Sequence, residues 1–199
     1  MLSELSTEIE YFTQTSRQYI APMLGVLALL WIFNLINWRT GKKLNRLGIR
    51  PRRFSGLIGI VFAPLLHSDF NHLLFNSIPL FFLGIFAMTL NFNNFFLATG
   101  IIIFLSGLGV WIFGRRGNHI GASALIAGYF GYILASAYEH PTITTLFCAA
   151  IAFYYFGGIL LSLFPTEASV SWEGHLIGFI SGGITMFLCT HVSLFVPFI

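Results

Sequence analysis

One serine and one histidine stand near the starts of two apolar segments. Ser123 begins the glycine- and alanine-rich stretch HIGASALIAGYFGYILASAY, residues 119–138, and His175 opens a later segment. A serine hydroxyl becomes a nucleophile when a neighbouring base removes its proton, and an imidazole suits that role because its pKa lies near neutrality. The pair therefore predicts acyl-transfer chemistry, with Ser123 as nucleophile and His175 as general base.

A second group of polar residues offers hydrogen-bond donors. His72 and Asn76 are four residues apart and share one face of a helix. The backbone N–H of Ser123 lies in a first helical turn, where it has no intrahelical partner and the dipole favours negative charge. These groups are candidate oxyanion donors, each typically worth roughly 3 kcal/mol in a transition state. His67 cannot share the face of His72 and is expected to order the preceding loop.

Composition places this chemistry inside a membrane. The chain of 199 residues is 56% hydrophobic and 9% charged, whereas a soluble domain carries about 25% charged residues. A spanning helix needs about 20 apolar residues, so the chain has room for six or seven spans. The sequence predicts an all-α polytopic membrane bundle. Cys148 and Cys189 lie in apolar runs and are expected to be packing residues.

Hydropathy divides the chain into a polar arm at 1–20, a six-span core at 21–195 and a tail at 196–199. The spans are expected at about 21–38, 70–90, 95–113, 121–138, 142–164 and 175–195. Because consecutive spans alternate in direction, spans two, four and six begin on the same side. Their polar residues are therefore expected in one layer, where buried polar groups face one another or water.

Two further features refine the predicted site. Asp69 and Glu173 stand at span edges and no carboxylate lies inside a span, so a Ser–His dyad is predicted rather than a triad. Gly174, Gly178 and Gly182 fall on one stripe of span six, and such a stripe lets two helices approach closely.

Structural interpretations compete with the catalytic one. A single serine within a membrane helix usually donates a hydrogen bond to a backbone carbonyl of its own helix, so Ser123 alone predicts a structural role. Asn76 alone predicts a hydrogen bond between two helices. A zinc site from His67, His72 and His175 is disfavoured because their spacing does not match HExxH. No metal and no cofactor are therefore expected.

A basic segment at residues 39–53 precedes an apolar run at 54–66 that is too short to span. This first loop is predicted to contact lipid headgroups, an interpretation favoured over nucleic-acid binding.

At these positions the chain resembles the rhomboid family of intramembrane serine proteases. The resemblance covers about residues 20–195 and is greatest to the minimal six-span bacterial form. It rests on three motifs in matching order: His67…His72-Leu-Leu-Phe-Asn76, Gly121-Ala122-Ser123-Ala124, and Gly174-His175-Leu-Ile-Gly178-xxx-Gly182.

The resemblance implies that Ser123 is the nucleophile, that His175 is the base, and that His72 and Asn76 complete the oxyanion site. Structural support for the site is expected from His67, Gly121, Gly178 and Gly182. The implied substrates are single-pass membrane proteins cut in or beside their spanning segment. The implied partners are those proteins and the lipid bilayer, with no nucleic acid. Span five and the following loop would act as gate and cap.

Two of the departures from the family pattern lie close to the serine. Ala124 stands where glycine usually follows the serine, and Ala127 where an aromatic residue often packs against the catalytic histidine. A catalytically inactive rhomboid-like adaptor that binds membrane helices is therefore an alternative function. A small transporter is a further alternative, although paired intramembrane carboxylates, its usual mark, are missing from the predicted spans.

The charge pattern and the resemblance predict opposite orientations. Nine of the ten Lys and Arg residues fall in the first and third loops, on the side of the predicted site. The positive-inside rule places that side in the cytoplasm. The resemblance to bacterial rhomboids implies the opposite arrangement, in which the active site faces outward. We expect a multi-pass protein of the cell membrane, the inner membrane in bacteria, and the side of its active site stays open.

Overall fold

The computed structural model describes residues 2–165 and 171–192 of the chain. Over these residues the protein is an all-helical bundle, which confirms the predicted fold class. Its α-helices, in chain order, are α1 Leu2–Arg39, α2 Gly59–Phe62, α3 Phe70–Leu90, α4 Phe92–Phe113, α5 Ser123–Glu139, α6 Ile143–Phe156 and α7 Trp172–His191. Turns of 3-10 helix cover Lys43–Leu47, Phe54–Gly56, Ala63–Leu65 and Gly157–Leu163.

Four stretches of the described chain are long and apolar enough to cross a membrane. They are Ser6–Arg39, Phe70–Leu90, Phe92–Phe113 and Ile143–Leu163. The other two long helices, α5 and α7, are rich in small residues and lie against their neighbours. α5 is buried without interruption from Leu125 to Ile133, so it forms the central post of the bundle.

Helices α5 and α7 pack with their backbones in direct contact at two glycines of α7. A methyl group added at Gly178 would collide with the carbonyl oxygen of Ala124, and one added at Gly182 with that of Gly128. Gly174 has a different neighbour, because its added methyl would lie 3.7 Å from Val110 Cγ2 of α4. The close approach brings the first turn of α7, with His175, to the first turn of α5, with Ser123.

The polar N-terminal residues belong to α1, which runs on into the first span without a break. The Phe12 ring packs edge-on against Phe147 of α6, with ring centroids 5.1 Å apart. Thr144 Oγ1 donates a hydrogen bond of 2.6 Å to Glu8 Oε2. These contacts with α6 fasten the N-terminal turns to the bundle, which favours their continuation as helix.

The first loop folds along the end of the bundle and frames the approach to α5. Ile49 forms an isolated antiparallel bridge with His119. The N–H of Gly121 donates to the carbonyl of Ala63 over 2.9 Å. Phe54, at the start of the apolar run, is 89% exposed. The loop therefore holds the segment before Ser123 on one side and presents an apolar side chain outward.

Some boundaries differ from the hydropathy estimate. α5 begins at Ser123, since Gly121 has a positive φ of 121° that breaks the helix before it. α6 gives way to a 3-10 segment that ends at Leu163, and α7 already begins at Trp172. The predicted loop at 165–174 and the sixth span to 195 include residues 166–170 and 193–195, which lie outside the described residues.

Candidate active site

The starts of α3, α5 and α7 enclose a cavity of about 710 Å³. Its lining includes all four side chains assigned to chemistry, namely Ser123, His175, His72 and Asn76. Loop residues between α4 and α5, among them Asn118 and His119, complete the wall. A cavity of this size has ample room for water.

Ser123 is the first residue of α5 and is partly accessible from the cavity. The two residues before it are held by other elements. Gly121 bonds to Ala63, and the N–H of Ala122 lies 3.4 Å from His67 Nε2. The first N–H groups of a helix have no partner within it, so the Ser123 N–H is a donor at the end where the dipole favours an anion.

His175 lies in the first turn of α7 with its Nδ1 atom 3.3 Å from the carbonyl oxygen of Ser162. A carbonyl only accepts, so this contact requires a proton on Nδ1 and leaves a lone pair on Nε2. That tautomer is the one a general base needs. Among the described residues no hydrogen bond joins Ser123 to His175, and catalytic hydrogen bonds often tighten only when substrate binds.

His72 and Asn76 extend from α3 toward the loop before Ser123. A methyl group built on Gly121 would lie 2.6 Å from His72 Nε2 and 3.5 Å from Asn76 Nδ2. Both nitrogens thus lie directly beside Gly121, two residues from the serine. The Asn76 amide nitrogen is buried and has no hydrogen-bond partner among the described residues. An unsatisfied buried amide is costly, and a functional ligand is one explanation for it.

The start of α3 fixes the His72 ring. Asp69 caps the helix, since its Oδ1 accepts the His72 N–H over 3.0 Å. The Ser68 hydroxyl donates to Asp69 Oδ2 over 2.6 Å, and the Ser68 N–H donates to His72 Nδ1 over 3.5 Å, so a neutral His72 ring carries its proton on Nε2, beside Gly121. The hydrogen bond from Ser68, and the one from the His72 N–H, hold the pKa of the exposed Asp69 carboxyl below its ordinary value. The sequence offers both Ser68 and Asp69 as N-cap candidates for this helix, and the structure assigns the cap to Asp69.

His67 is fully buried beneath the loop that leads to Ser123. Its backbone is clasped by α1, because Asn34 Oδ1 accepts its N–H and Trp38 Nε1 donates to its carbonyl, each over 2.9 Å. Burial, and secondly the nearby His72, lowers the pKa of His67 to about 3. The ring therefore stays neutral at physiological pH, and its Nε2 remains an acceptor for the Ala122 N–H.

Two contacts beside the cavity were not foreseen. Arg115 Nε lies 2.5 Å from Glu173 Oε1, and His119 Nδ1 lies 2.9 Å from Ser171 Oγ. Neither pairing has a signal in the sequence, because each joins residues more than fifty positions apart. No group of three or more His, Cys, Asp or Glu side chains suited to a metal ion occurs among the described residues.

The remaining histidines lie far from the cavity, at the opposite end of the bundle. His140 Nε2 lies 3.2 Å from Thr190 Oγ1 of α7, and His191 Nε2 lies 3.6 Å from Glu139 Oε2 of α5. Both contacts join α5 to α7, which is a structural role.

Comparison with known proteins gives the family of this bundle. Residues 55–192, well over half of the chain, match the family described as Rhomboid domain. The chain belongs to the rhomboid family. This rhomboid is therefore a multi-pass membrane protein from a family of intramembrane proteases that act on membrane-protein substrates.

Its relatives span most of its length. An uncharacterized protein of Mycobacterium tuberculosis is 39% identical over 176 residues, which cover 83% of this rhomboid and 73% of that protein. One of Mycobacterium leprae, also uncharacterized, is 34% identical over 190 residues, 88% of this chain and 75% of its own. A Bacillus subtilis protein named "Putative rhomboid protease YdcA" is 27% identical over 186 residues, 84% of this chain and 86% of its own.

Proposed function

We propose that this rhomboid is an intramembrane serine endopeptidase that cleaves single-pass membrane proteins with a Ser123–His175 dyad. The observation that supports the proposal is the convergence of Ser123, His175, His72 and Asn76 on one cavity at the helix starts. The family contains inactive members, so the argument for activity rests on these side chains and their hydrogen bonds.

The proposed reaction begins when Ser123 Oγ attacks the carbonyl carbon of the scissile peptide bond. The hydroxyl proton passes to His175 Nε2, which is free to accept it because the Ser162 carbonyl engages Nδ1. The developing oxyanion is stabilised by the Ser123 N–H together with Asn76 and His72. When the intermediate collapses, the C–N bond breaks, and His175 returns the proton to the leaving amine.

Water then completes the cycle. It attacks the acyl-enzyme carbonyl, gives a proton to His175 and releases the new carboxyl end while Ser123 regains its hydrogen. The cavity is bordered by polar loop residues such as Asn118, which suits delivery of water to Ser123. The chemistry therefore needs a wet pocket within a largely apolar bundle.

Substrate access in this proposal is lateral. A peptide bond inside a membrane helix is shielded because its backbone groups are bonded to one another, so the substrate must unwind locally. α6 and its 3-10 extension are the proposed gate, and they expose large side chains such as Tyr154 (81%) and Leu161 (73%). Substrate segments with helix-destabilising residues are the expected preference.

Covalent labelling of Ser123 tests the proposal. We expect the purified protein to react with a fluorophosphonate, and Ser123→Ala and His175→Ala to lose the label. Matched controls are Ser136→Ala and His191→Ala, which alter the same residue types further along α5 and α7. Both controls should keep the label. A wild-type protein that resists the label although it is folded would support the adaptor function instead.

A further inference from the structure

The loop between α4 and α5 is fastened to the start of α7 by two side-chain contacts. Arg115 Nε lies 2.5 Å from Glu173 Oε1, and Glu173 is only 6% exposed. His119 Nδ1 lies 2.9 Å from Ser171 Oγ. We call these four residues, Arg115, His119, Ser171 and Glu173, the loop clamp. It connects two segments that are more than fifty residues apart in sequence.

His119 gives the clamp a defined geometry. Its Nε2 lies 2.8 Å from the carbonyl oxygen of Arg115, and a carbonyl only accepts, so Nε2 carries the proton in this contact. For a neutral ring, Nδ1 is then the acceptor and the Ser171 hydroxyl the donor. The backbone of His119 is also paired with Ile49 of the first loop. The imidazole is therefore held on both edges and by its main chain.

The Arg115–Glu173 ion pair is expected to contribute more than the His119–Ser171 hydrogen bond, because it involves a buried charge. Glu173 is buried, and a buried carboxylate is strongly unfavourable unless a cation and hydrogen bonds compensate for lost hydration. Its Oε2 atom has no partner among the described residues, so Oε1 and Arg115 provide its side-chain contact. Arg115 is about half exposed (49%), so the buried Glu173 carboxylate depends on a partner at the edge of the cavity, and removal of Arg115 would leave that charge without its cation.

The two segments are those that carry the proposed dyad. Glu173 precedes His175 by two residues, and Arg115 lies in the loop that ends at Ser123. Glu173 is not a third member of a triad, because residues two apart on a helix point in different directions and its Oε1 is engaged by Arg115. Its position instead sets where the first turn of α7 lies relative to that loop.

We infer that Arg115 and Glu173 are positioning residues: their ion pair, with the His119–Ser171 bond, holds the His175 turn in register with Ser123. This inference rests on the proposed function. It accounts for how the base is aligned in a chain that has Ala127, four residues after the serine, at the position where an aromatic ring often supports the histidine. A misplacement of about 1 Å between reacting groups can cost on the order of 100-fold in rate.

The test compares Glu173→Gln and Arg115→Ala with Arg115→Lys, which keeps the charge. The matched control is Glu139→Gln, because the Glu139–His191 pair joins α5 and α7 at the far end. Fluorophosphonate labelling is followed against reagent concentration to separate its maximal rate from reagent affinity. We expect the maximal rate to fall about 10- to 100-fold in the first two variants with affinity nearly unchanged. Arg115→Lys should recover part of the rate, and Glu139→Gln should match wild type.

Hydrogen exchange supplies a readout that does not depend on activity. The amides of residues 171–175 and 114–121 should exchange faster in Glu173→Gln and Arg115→Ala, while those in the middle of α5 and α7 stay protected. Faster exchange with an unchanged labelling rate means that the clamp is only structural, and unchanged exchange means that it does not fix the turn. Either result overturns the inference. If wild type resists the label, the proposed function fails and exchange alone decides whether the clamp holds the turn.

Discussion

Asn76 carries a buried amide nitrogen that finds no partner among the described residues, beside the loop that leads to Ser123. Its neighbour Ser77 is also buried, but it donates to the Leu73 carbonyl over 2.7 Å and accepts from Trp31 Nε1 over 3.0 Å. One residue is thus unsatisfied beside the cavity, and the next is satisfied within the bundle. This contrast supports the proposed role of Asn76 as an oxyanion donor and a structural role for Ser77.

We predict opposite effects for Asn76→Ala and Ser77→Ala. Loss of one oxyanion donor lowers the maximal labelling rate by roughly 100- to 1,000-fold, while thermal stability stays nearly constant because no existing hydrogen bond of the amide nitrogen is lost. Ser77→Ala should keep the labelling rate of the wild type. Its free energy of unfolding should fall by about 0.6 kcal/mol, the average contribution of a hydrogen bond between membrane helices. Labelling rates and thermal unfolding in detergent measure both. Equal activity in the two variants would remove Asn76 from the proposed oxyanion site.

At the residue scale, residue types and spacing predicted Ser123, His175, His72 and Asn76 as site residues, because polar groups in an apolar chain are rare. The structure brings these four side chains to one cavity, and their catalytic roles stay a prediction. The groups that orient them were out of reach. The partner of His175 is the main-chain carbonyl of Ser162, and a carbonyl has no signature in sequence. The Arg115–Glu173 pair depends on how a loop folds over a helix start, which side-chain types alone do not specify.

Helix α7 carries two adjacent glycines with different surroundings. A methyl group at Gly182 would collide with the carbonyl oxygen of Gly128 and lie 2.8 Å from the Tyr132 nitrogen, whereas one at Gly183 would meet nothing within 4 Å. The same substitution, one residue apart, therefore tests backbone contact between α5 and α7 against helix propensity alone.

We predict that Gly182→Ala destabilises the protein by about 1–3 kcal/mol, the usual cost of overpacking a filled core. It should also slow labelling, because α7 must shift and carries His175 with it. Gly183→Ala should stabilise by about 0.5–1 kcal/mol, since alanine is favoured over glycine within a helix. Unfolding in mixed detergent micelles measures both free energies. Similar values for the two variants would mean that the helices do not meet at Gly182.

At the element scale, each long helix of the described residues overlaps a span predicted from hydropathy, since a membrane span must be a continuous apolar segment of nearly fixed length. Hydropathy was least informative for segments whose packing partners lie far away in the sequence. The N-terminal turns of α1 are polar enough to resemble an arm, and they lie on the bundle through Phe12 and Phe147, 135 residues apart. The start of α5 was placed two residues early because the positive φ of Gly121 is a property of the folded loop.

At the scale of the whole molecule, charge is concentrated at the cavity end. Nine of the ten Lys and Arg residues lie at the last residue of α1 or in the first and third loops, and these two loops are bound to each other. Arg52 Nη1 donates to the Ile112 carbonyl and Trp111 Nε1 to the Arg53 carbonyl, each over 2.9 Å. Nearby, Phe54 and Val61 are 89% and 62% exposed. Basic and apolar groups on one surface suit an interface where cations meet lipid phosphates and apolar side chains enter the acyl region.

A loop that lies along lipid headgroups is compatible with a cavity on the outer side of the membrane, although the number of Lys and Arg residues on that side favours the cytoplasm. The positive-inside rule counts the Lys and Arg residues of short loops, whereas this loop folds against the bundle and is expected to lie along headgroups. We predict the orientation that the resemblance to bacterial rhomboids implies, with the cavity on the outer side. α7 starts at the cavity end and runs away from it, so a reporter fused after Ile199 should then be cytoplasmic. A green fluorescent protein fused there should fluoresce, and an alkaline phosphatase fused there should show little activity.

A fusion truncated after Asn118, in the loop beside the cavity, is the matched control and should give the reverse pattern. The opposite pair of signals would mean that the nine basic residues determine the topology and that the cavity opens toward the cytoplasm. In that case the proposed substrates would have to present their cleavage site at the cytoplasmic end of their spanning helix. The orientation therefore decides which end of a membrane helix can reach Ser123, whatever the identity of that helix.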